Sequence, residues 1–425
     1  MTYAEMSRML RSTKTRERFN RLYSQKEFGY AYQMRRYSGL LTLHEDVFGR
    51  EDALCFVSAP GRSELIGNHT DHNGGRVLAA AINVDTIACA ARRQDNVVRF
   101  ISEGYEPFEI ALTELTPQPE EMGTSAALIR GVAAKMRELG YQVGGFDATA
   151  TSDVLRGSGM SSSAAFEVLI CAIFDQLYNG FSIDATTRAS IAQYAENDFF
   201  MKPSGLMDQM ASSTGGLVAI NFQSAEPEVL PISFSFADAG YELVIVNTGG
   251  SHDDLTNEYA AIPEEMKAVA ACFDAEALRF VRQEQFIKEL PQVRQIAGDR
   301  AALRAFHFFG ENERVNSAVQ ALQEKDMPVF LEAIRASGLS SWTLLQNVYS
   351  GAEHQQMAVS LAFADTFLGI RGASRIHGGG FAGTTLHFVP EDIVDGFVEA
   401  MNDLFGAGAC HTVDVRPEGA VIVAR

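Results

Sequence analysis

The stretch Ala59-Pro60-Gly61-Arg62-Ser63-Glu64-Leu65-Ile66-Gly67-Asn68-His69-Thr70-Asp71-His72-Asn73-Gly74-Gly75 crowds polar residues of many kinds behind an apolar run that begins at Leu54. The run Leu54–Ala59 reads as a buried β-strand ended by Pro60-Gly61, and the polar residues read as the loop that follows it. Arg62, His69, Asp71 and Asn73 carry the donors and acceptors that a polyol needs. The His69/His72 spacing invites a metal-site reading, but the further strong ligands such a site requires are missing from the stretch. A polar surface turn is the plain alternative, and it accounts poorly for so many polar types in one loop.

Two further glycine-bearing segments lie downstream. Leu155-Arg156-Gly157-Ser158-Gly159-Met160-Ser161-Ser162-Ser163-Ala164-Ala165 stands between a strand and a long apolar helix. Glycines let the backbone approach a ligand, and a helix start offers unpaired N–H groups and a positive dipole end, so the segment suits phosphate. Its serines add hydroxyl donors and an oxygen ligand for Mg²⁺. A capped helix start is the alternative reading, since serines are good N-caps. The segment is no P-loop, because G-x-x-x-x-G-K-[ST] is absent, and Ser161 is not framed as G-x-S-x-G. His377-Gly378-Gly379-Gly380-Phe381-Ala382-Gly383-Thr384-Thr385, between two strands, reads either as a hairpin turn or as a backbone lining for a ligand.

The whole chain has 425 residues, 46% hydrophobic and 21% charged, which excludes disordered and collagen-like classes. At roughly 150 residues per domain the length suggests more than one core. Lys and Arg number 35 against 54 Asp and Glu, a net charge of −19. Such a body repels nucleic acid and anionic membrane, so neither is expected as a partner, while a pocket can still hold a small anion. Cys55, Cys89, Cys171, Cys272 and Cys410 are scattered and form no C-x-x-C. The N-terminus is charged from the start and has no signal-peptide core. The longest apolar stretch, Val77 to Ala91, contains Asn83, Asp85 and Thr86 and is too short to span a bilayer. The expected location is the cytoplasm.

Hydrophobic periodicity predicts helix for much of residues 1–50 (Tyr3 to Tyr37 above all), Leu128 to Leu139, Ala164 to Tyr178, Thr186 to Phe200, most of 255–370 and Ile393 to Phe405. Strand is predicted for VLAAAINVDTIACAARR, VVRFISEG, FEIALTEL, FDATATSDV, LVAINF, YELVIVNTG, the two arms of ASRIHGGGFAGTTLHFVP, and GAVIVAR. Strands and helices mix without a strict βαβ rhythm, which favours an α+β class. Polar QSAEPE suggests a boundary near 222–240.

Taken in order, the three glycine-bearing segments resemble the three motifs of the GHMP kinases, and the first resembles the galactokinase signature A-P-G-R-x-x-L-I-G-x-H-T-D-x-N-x-G. Ser204 to Met210, SGLMDQM, is similar to the galactokinase segment that holds a catalytic aspartate. Asn247 to Tyr259, NTGGSHDDLTNEY, is similar to the stretch that ends in a sugar-binding tyrosine. The resemblance runs from about Ser58 to Val389, and the middle helical part shows no matching motif.

The resemblance implies a two-domain GHMP architecture, residues 1–222 and 223–425, with the active site in the interdomain cleft. It implies ATP-dependent phosphorylation of a sugar hydroxyl, in galactokinases the anomeric one, with Mg²⁺ as cofactor. Asp208 matches the catalytic aspartate and Arg62 the arginine beside it. Gly157, Gly159, Ser161, Ser162 and Ser163 match the phosphate loop, and Ser162 and Glu196 the magnesium ligands. Asn68, His69, Asp71, Gly205 and Tyr259 match sugar-contacting positions. The expected partners are a small sugar and ATP, and the expected assembly is a monomer or weak homo-oligomer. Three residues depart from the pattern: galactokinases usually carry Asn at the position of Glu64, Glu at that of Asn68 and Tyr at that of His72. Arg156 and the GGGFAGTT turn depart as well. An amide both donates and accepts where a carboxylate only accepts, so recognition of one hydroxyl is expected to change at Asn68. Kinases for a pentose, a uronic acid or an amino sugar, and a non-catalytic sugar and ATP sensor, are the alternatives. A Rossmann dehydrogenase fails for want of a G-x-G-x-x-G opening a helix in a βαβ unit.

Overall fold

The computed structural model describes residues 1–24, 28–49, 53–154, 159–224, 226–249, 255–349, 351 and 354–425. Strands β1 (Cys55–Ile66) and β2 (Arg76–Arg92) are buried along nearly their whole length. Side-chain alternation explains their apolar composition. Cys55, Val57, Ala59, Ala88 and Ala90 enter one core, whereas Phe56, Ile87, Cys89 and Ala91 enter another. A sheet buried on both faces needs a layer on each. Helices α1 (Tyr3–Leu10), α2 (Thr13–Tyr23) and α3 (Tyr30–Phe48) cover one face. Helices α4 (Ser125–Glu138), α5 (Ser162–Phe174) and α6 (Ala185–Tyr194) cover the other.

The later helices among the described residues are α7 (Met207–Thr214), α8 (Thr256–Ala271), α9 (Gln283–Lys288), α10 (Leu290–Ile296), α11 (Asp299–Glu324), α12 (Met327–Ser340), α13 (Gln356–Leu368) and α14 (Val394–Phe405). The later strands are β3 (Val97–Ser102), β4 (Phe108–Ala111), β5 (Phe146–Ser152), β6 (Leu217–Asn221), β7 (Glu228–Ile232), β8 (Tyr241–Asn247), β9 (Ala373–His377), β10 (Thr384–Pro390), β11 (Cys410–Val413) and β12 (Val421–Ala424). The first sheet runs β12-β1-β2-β5-β3-β4, with β6 on the early part of β2 and β7 beyond it. Only its β3–β5 pair is parallel among the paired strands described. The second sheet runs β11-β8-β10-β9 and is antiparallel. Mixed helix and sheet in this order is the expected α+β class. Strands from both sides of residue 222 share the first sheet, because β7 pairs with β6 and β12 with β1.

The expected strand end at Pro60-Gly61 is corrected. β1 continues to Ile66, and its pairing with β2 shifts register between Pro60 and Arg62. Proline has no donor for the ladder and glycine no side chain, and both are tolerated at such an irregularity. Gly61 is required there, since a Cβ would stand 2.9 Å from the Met160 carbonyl oxygen. The consequence is functional: Arg62 and Glu64 sit on a strand rather than a loop. The helices expected over Ala164–Tyr178 and Thr186–Phe200 form as α5 and α6, each extended by one π-turn. Tyr3 to Tyr37 is divided among α1, α2 and α3, with Thr2 and Ser12 capping the first two.

Two features fix the frame around β1. One apolar core joins Leu65, Ile66 and Leu78 of the first sheet to Ile245, Leu386 and Phe388 of the second and to Val315 and Phe330 of α11 and α12. Each large side chain in it contributes roughly 1.5–3 kcal/mol by leaving water. Behind β1, the fully buried Asp85 accepts from Tyr23 Oη at 2.6 Å and Arg416 Nη1 at 2.8 Å, and also from Ser58 and Arg36. The N-terminal helices are thereby tied to the sheet by charge as well as by packing.

Candidate active site

Arg62 and Asp208 meet side by side, as the sequence predicts. Arg62 extends from β1, and Asp208 lies in the first turn of α7, near the positive end of that helix. Arg62 Nε donates to Asp208 Oδ1 at 2.7 Å and Nη2 to Oδ2 at 2.6 Å. Arg62 Nη1 also donates to the Gly159 carbonyl. Ser212 Oγ of α7 donates to the Pro60 carbonyl at 2.6 Å, which fastens the helix to the strand. Burial pushes the Asp208 carboxyl up, but the Arg62 guanidinium and the Ser161 hydroxyl outweigh it and hold the group below the usual aspartate range. Ser161 has φ +58°, a left-handed backbone uncommon for a residue other than glycine. Strain of this kind persists where the surroundings demand it, and here it aims a hydroxyl at Asp208.

The serine turn leads into α5, with Ser162 as its first helical residue. Gly157 lies outside the described residues. Gly159 is packed so closely that a Cβ would meet Thr384 Oγ1 at 2.5 Å and His377 Nδ1 at 2.8 Å. The second and third glycine-bearing segments therefore touch. Glu196, on the π-turn after α6, is 2% exposed. Its Oε1 accepts from Ser163 Oγ at 2.9 Å and Lys202 Nζ at 2.8 Å, and its Oε2 from Gln209 Nε2 at 2.7 Å. The hydroxyl on Glu196 is thus that of Ser163, one residue beyond Ser162. Gln209 also donates to Glu167 at 3.1 Å, and burial together with the Glu196 charge pushes Glu167 well up, which relieves the repulsion between the two carboxyls. Glu196 and the serines are oxygen donors, the set Mg²⁺ prefers, and Glu196 already holds a cation in Lys202. These residues fit a magnesium ion. Among the described residues no cluster of three His, Cys, Asp or Glu side chains could hold a metal, so His69 and His72 gain no further ligand.

The sugar loop and the glycine turn between β9 and β10 are laced together. Asn68 Nδ2 donates to the Gly378 carbonyl at 2.8 Å, His69 Nε2 lies 2.8 Å from the Gly379 carbonyl, and Tyr259 Oη donates to the Gly380 carbonyl at 2.7 Å. Three successive carbonyls thus receive three of the residues expected to contact sugar. Asn68 is the most heavily used. Its Nδ2 also donates to Glu64 at 3.1 Å, and its Oδ1 accepts from Asn347 Nδ2 at 2.8 Å. Both amide hydrogens and the amide oxygen are occupied within the protein. Asp71 and Gly205 are adjacent, since a Cβ on Gly205 would stand 1.7 Å from Asp71 Oδ2. Burial, then the charges of Asp208 and Glu64, push the Asp71 carboxyl up to about 7. Burial lowers the His69 imidazole and raises the Tyr259 phenol to about 12.

Sequence reasoning missed several residues that shape this site. Arg375 of β9 pairs with Glu64 at 2.9 Å in a fully buried setting. His307, Glu311 and Asn312 of α11 reach the backbone of the sugar loop. No local signal marks them, because what they do depends on loop residues more than two hundred positions away in the chain.

Residues 42–92 match the galactokinase galactose-binding signature, and residues 98–216 match the N-terminal domain of GHMP kinases. The galactokinase of Exiguobacterium sibiricum is 31% identical over 370 residues, covering 85% of this chain and 91% of that one. The galactokinase of Actinobacillus succinogenes is 33% identical over 345 residues, covering 80% and 86%. The crystal structure of Lactococcus lactis galactokinase complexed with galactose superposes with a TM-score of 0.79 at 25% identity, over 90% of this chain and 99% of that one. A mevalonate kinase structure at 13% identity, TM-score 0.61, shares the fold. Fold and site together define a GHMP kinase, an ATP-dependent phosphotransferase acting on a small hydroxyl compound. Within that class the chain belongs to the galactokinase family.

Proposed function

We propose that this enzyme transfers the γ-phosphoryl group of ATP to the anomeric C1 hydroxyl of galactose, giving galactose 1-phosphate and ADP. The observation that carries the reading is the two-bond pairing of Arg62 with Asp208 between the serine turn and the Asp71–Gly205 contact. A sugar hydroxyl is a weak nucleophile, and phosphoryl transfer depends on positioning and charge neutralisation. Asp208 stays ionised beside Arg62, so it accepts a hydrogen bond from the C1 hydroxyl and aims the oxygen at the γ-phosphorus. As the new P–O bond forms and the bond to the ADP oxygen breaks, the hydroxyl proton passes to the Asp208 carboxylate. Arg62, already donating to Asp208 and Gly159, faces the charge that spreads over the transferring group.

Gly159, Ser161, Ser162 and Ser163 would line the phosphates, with the start of α5 facing them. Ser162 and Glu196 would hold Mg²⁺, which when bound neutralises phosphate charge. His69, Asp71, Gly205 and Tyr259 would surround the sugar, and Asn68 would act through the placement of the loop and the glycine turn. Among the described residues no helix is long and apolar enough to cross a membrane, and a cytoplasmic monomer or weak homo-oligomer is the reading that fits the acidic surface. Residues 1–222 and 223–425 are proposed as the two domains, with β7 and β12 of the second joining the sheet of the first.

The test is a coupled ADP assay with MgATP across a dozen monosaccharides, with the product position read by phosphorus NMR. Galactose-dependent ADP release and a C1 phosphate are expected. Preference for a pentose, a uronic acid or an amino sugar would move the substrate, and binding of sugar and ATP without turnover would identify a sensor.

A further inference from the structure

Helix α11 presents three polar side chains to the backbone of the sugar loop. Glu311 Oε1 accepts from the Gly67 N–H at 3.0 Å and the Asn68 N–H at 3.3 Å, and from Ser337 Oγ at 2.5 Å. Its second oxygen holds Arg314 Nε at 2.7 Å. His307 Nε2 meets the Asn68 carbonyl at 2.8 Å, and its Nδ1 lies 2.9 Å from Ser340 Oγ. Asn312 Oδ1 accepts from the Arg76 N–H at 2.8 Å, at the far end of the loop. Glu311 and His307 are fully buried, and Asn312 is nearly so.

The loop held in this way is not one the chain would adopt unaided. Gly67 has φ +115°, and a Cβ there would stand 2.6 Å from Val77 Cα. His69, which is not a glycine, has φ +55°. Backbone of this kind needs surroundings that over-determine it. A carboxylate facing two successive N–H groups does so strongly, because charge-assisted hydrogen bonds are about twice as strong as neutral ones.

We propose that Glu311 is a positioning residue for the sugar: its buried carboxylate fixes the N–H groups of Gly67 and Asn68 and so sets the direction in which His69 and Asp71 leave the loop. His307 and Asn312 secure the same loop on either side. The proposal rests on the reading that residues 67–75 bind galactose.

Glu311→Gln keeps the shape but removes the charge and sets an amide against Arg314. The galactose KM is expected to rise about tenfold or more, the scale of one charged hydrogen bond, with the ATP KM within twofold and kcat changed less than the galactose KM. Asn312→Ala, which removes the neutral bond from the Arg76 N–H together with a bond to the Phe308 carbonyl within the helix, should show the same selectivity at a few-fold. It supplies the reading should Glu311→Gln fail to fold. Equal rises in both KM values, or none, would overturn the proposal. Amide hydrogen exchange over residues 67–76, followed by mass spectrometry, should be faster in either variant, with other segments unchanged. Unchanged exchange would also overturn it. A wild-type chain inactive on galactose would sink the functional reading instead, and the positioning role would then stand or fall on the exchange data.

Discussion

Two ion pairs leave strand β1 only two residues apart and are put to opposite uses. Arg62 meets Asp208 with the aspartate side chain 27% exposed, whereas Glu64 meets Arg375 with exposures of 5% and 0%. The chemistry of the two pairs is alike, and what differs is access. An open carboxylate can exchange a partner for a substrate hydroxyl. A closed one can only hold its partner, because an unpaired charge in the interior is costly. Charge marks both positions in the sequence, and burial decides which becomes a reagent and which a girder.

The sharpest way to break this contrast is at the open pair. Asp208→Ala should lower turnover by about 10²-fold or more, the usual scale for loss of an acid–base group, with a smaller loss of stability than at the closed pair. The measurement is kcat with saturating MgATP and galactose, beside thermal unfolding of the same sample. Full activity in this variant would end the catalytic assignment, and a collapse of stability would make the open pair a girder too.

The closed pair should answer in the other currency. Glu64→Gln leaves the buried Arg375 guanidinium without its paired carboxylate, and a loss of about 3–5 kcal/mol in unfolding free energy is expected. Adding Arg375→Met should recover much of it, since no unpaired buried charge is then left. Denaturant titration of the two variants decides the matter. A fall in turnover at unchanged stability would show that Glu64 belongs to the chemistry after all.

This division of labour was only half legible in the sequence. Glycines and polar residues that must approach a ligand form compact strings, and Arg62 and Asp71 stood out for that reason, whereas Gly205 came only from the resemblance to galactokinases. The layers of the fold were legible too, because strands buried on both faces leave continuous apolar runs such as that of β2. What escaped depends on distance in the chain. Nothing local distinguishes Glu311 on α11 from a solvated glutamate, since its role comes from Gly67, 244 residues away. Asn68 reads as a ligand until its amide is seen to be occupied by Glu64, Gly378 and Asn347. Pro60-Gly61 reads as a strand end, and only the register shift against β2 shows the strand continuing.

Asp71 is the point where the open region becomes sensitive to pH. It shares the cleft with Asp208, and the two carboxyls are pushed apart: Arg62 and Ser161 keep Asp208 ionised, while burial and the charges of Asp208 and Glu64 raise Asp71 to about 7. An unfolded aspartate titrates near 3.9, so between about pH 4 and 7 the folded chain holds a proton that the unfolded chain has lost. Its contribution to stability is therefore greatest below about pH 4 and falls as the pH rises through 7. Binding has the opposite sign. Galactose hydroxyls donate to a carboxylate, so sugar binding below pH 7 must expel the proton, and the galactose KM should fall by up to about tenfold per unit as the pH rises toward 7, then level off. Asp71→Asn should flatten that dependence without altering the ATP KM. A flat wild-type profile between pH 5.5 and 8, or a slope that survives in the variant, would mean that the two aspartates do not divide the proton between them, and that the open pair acts without a neighbour.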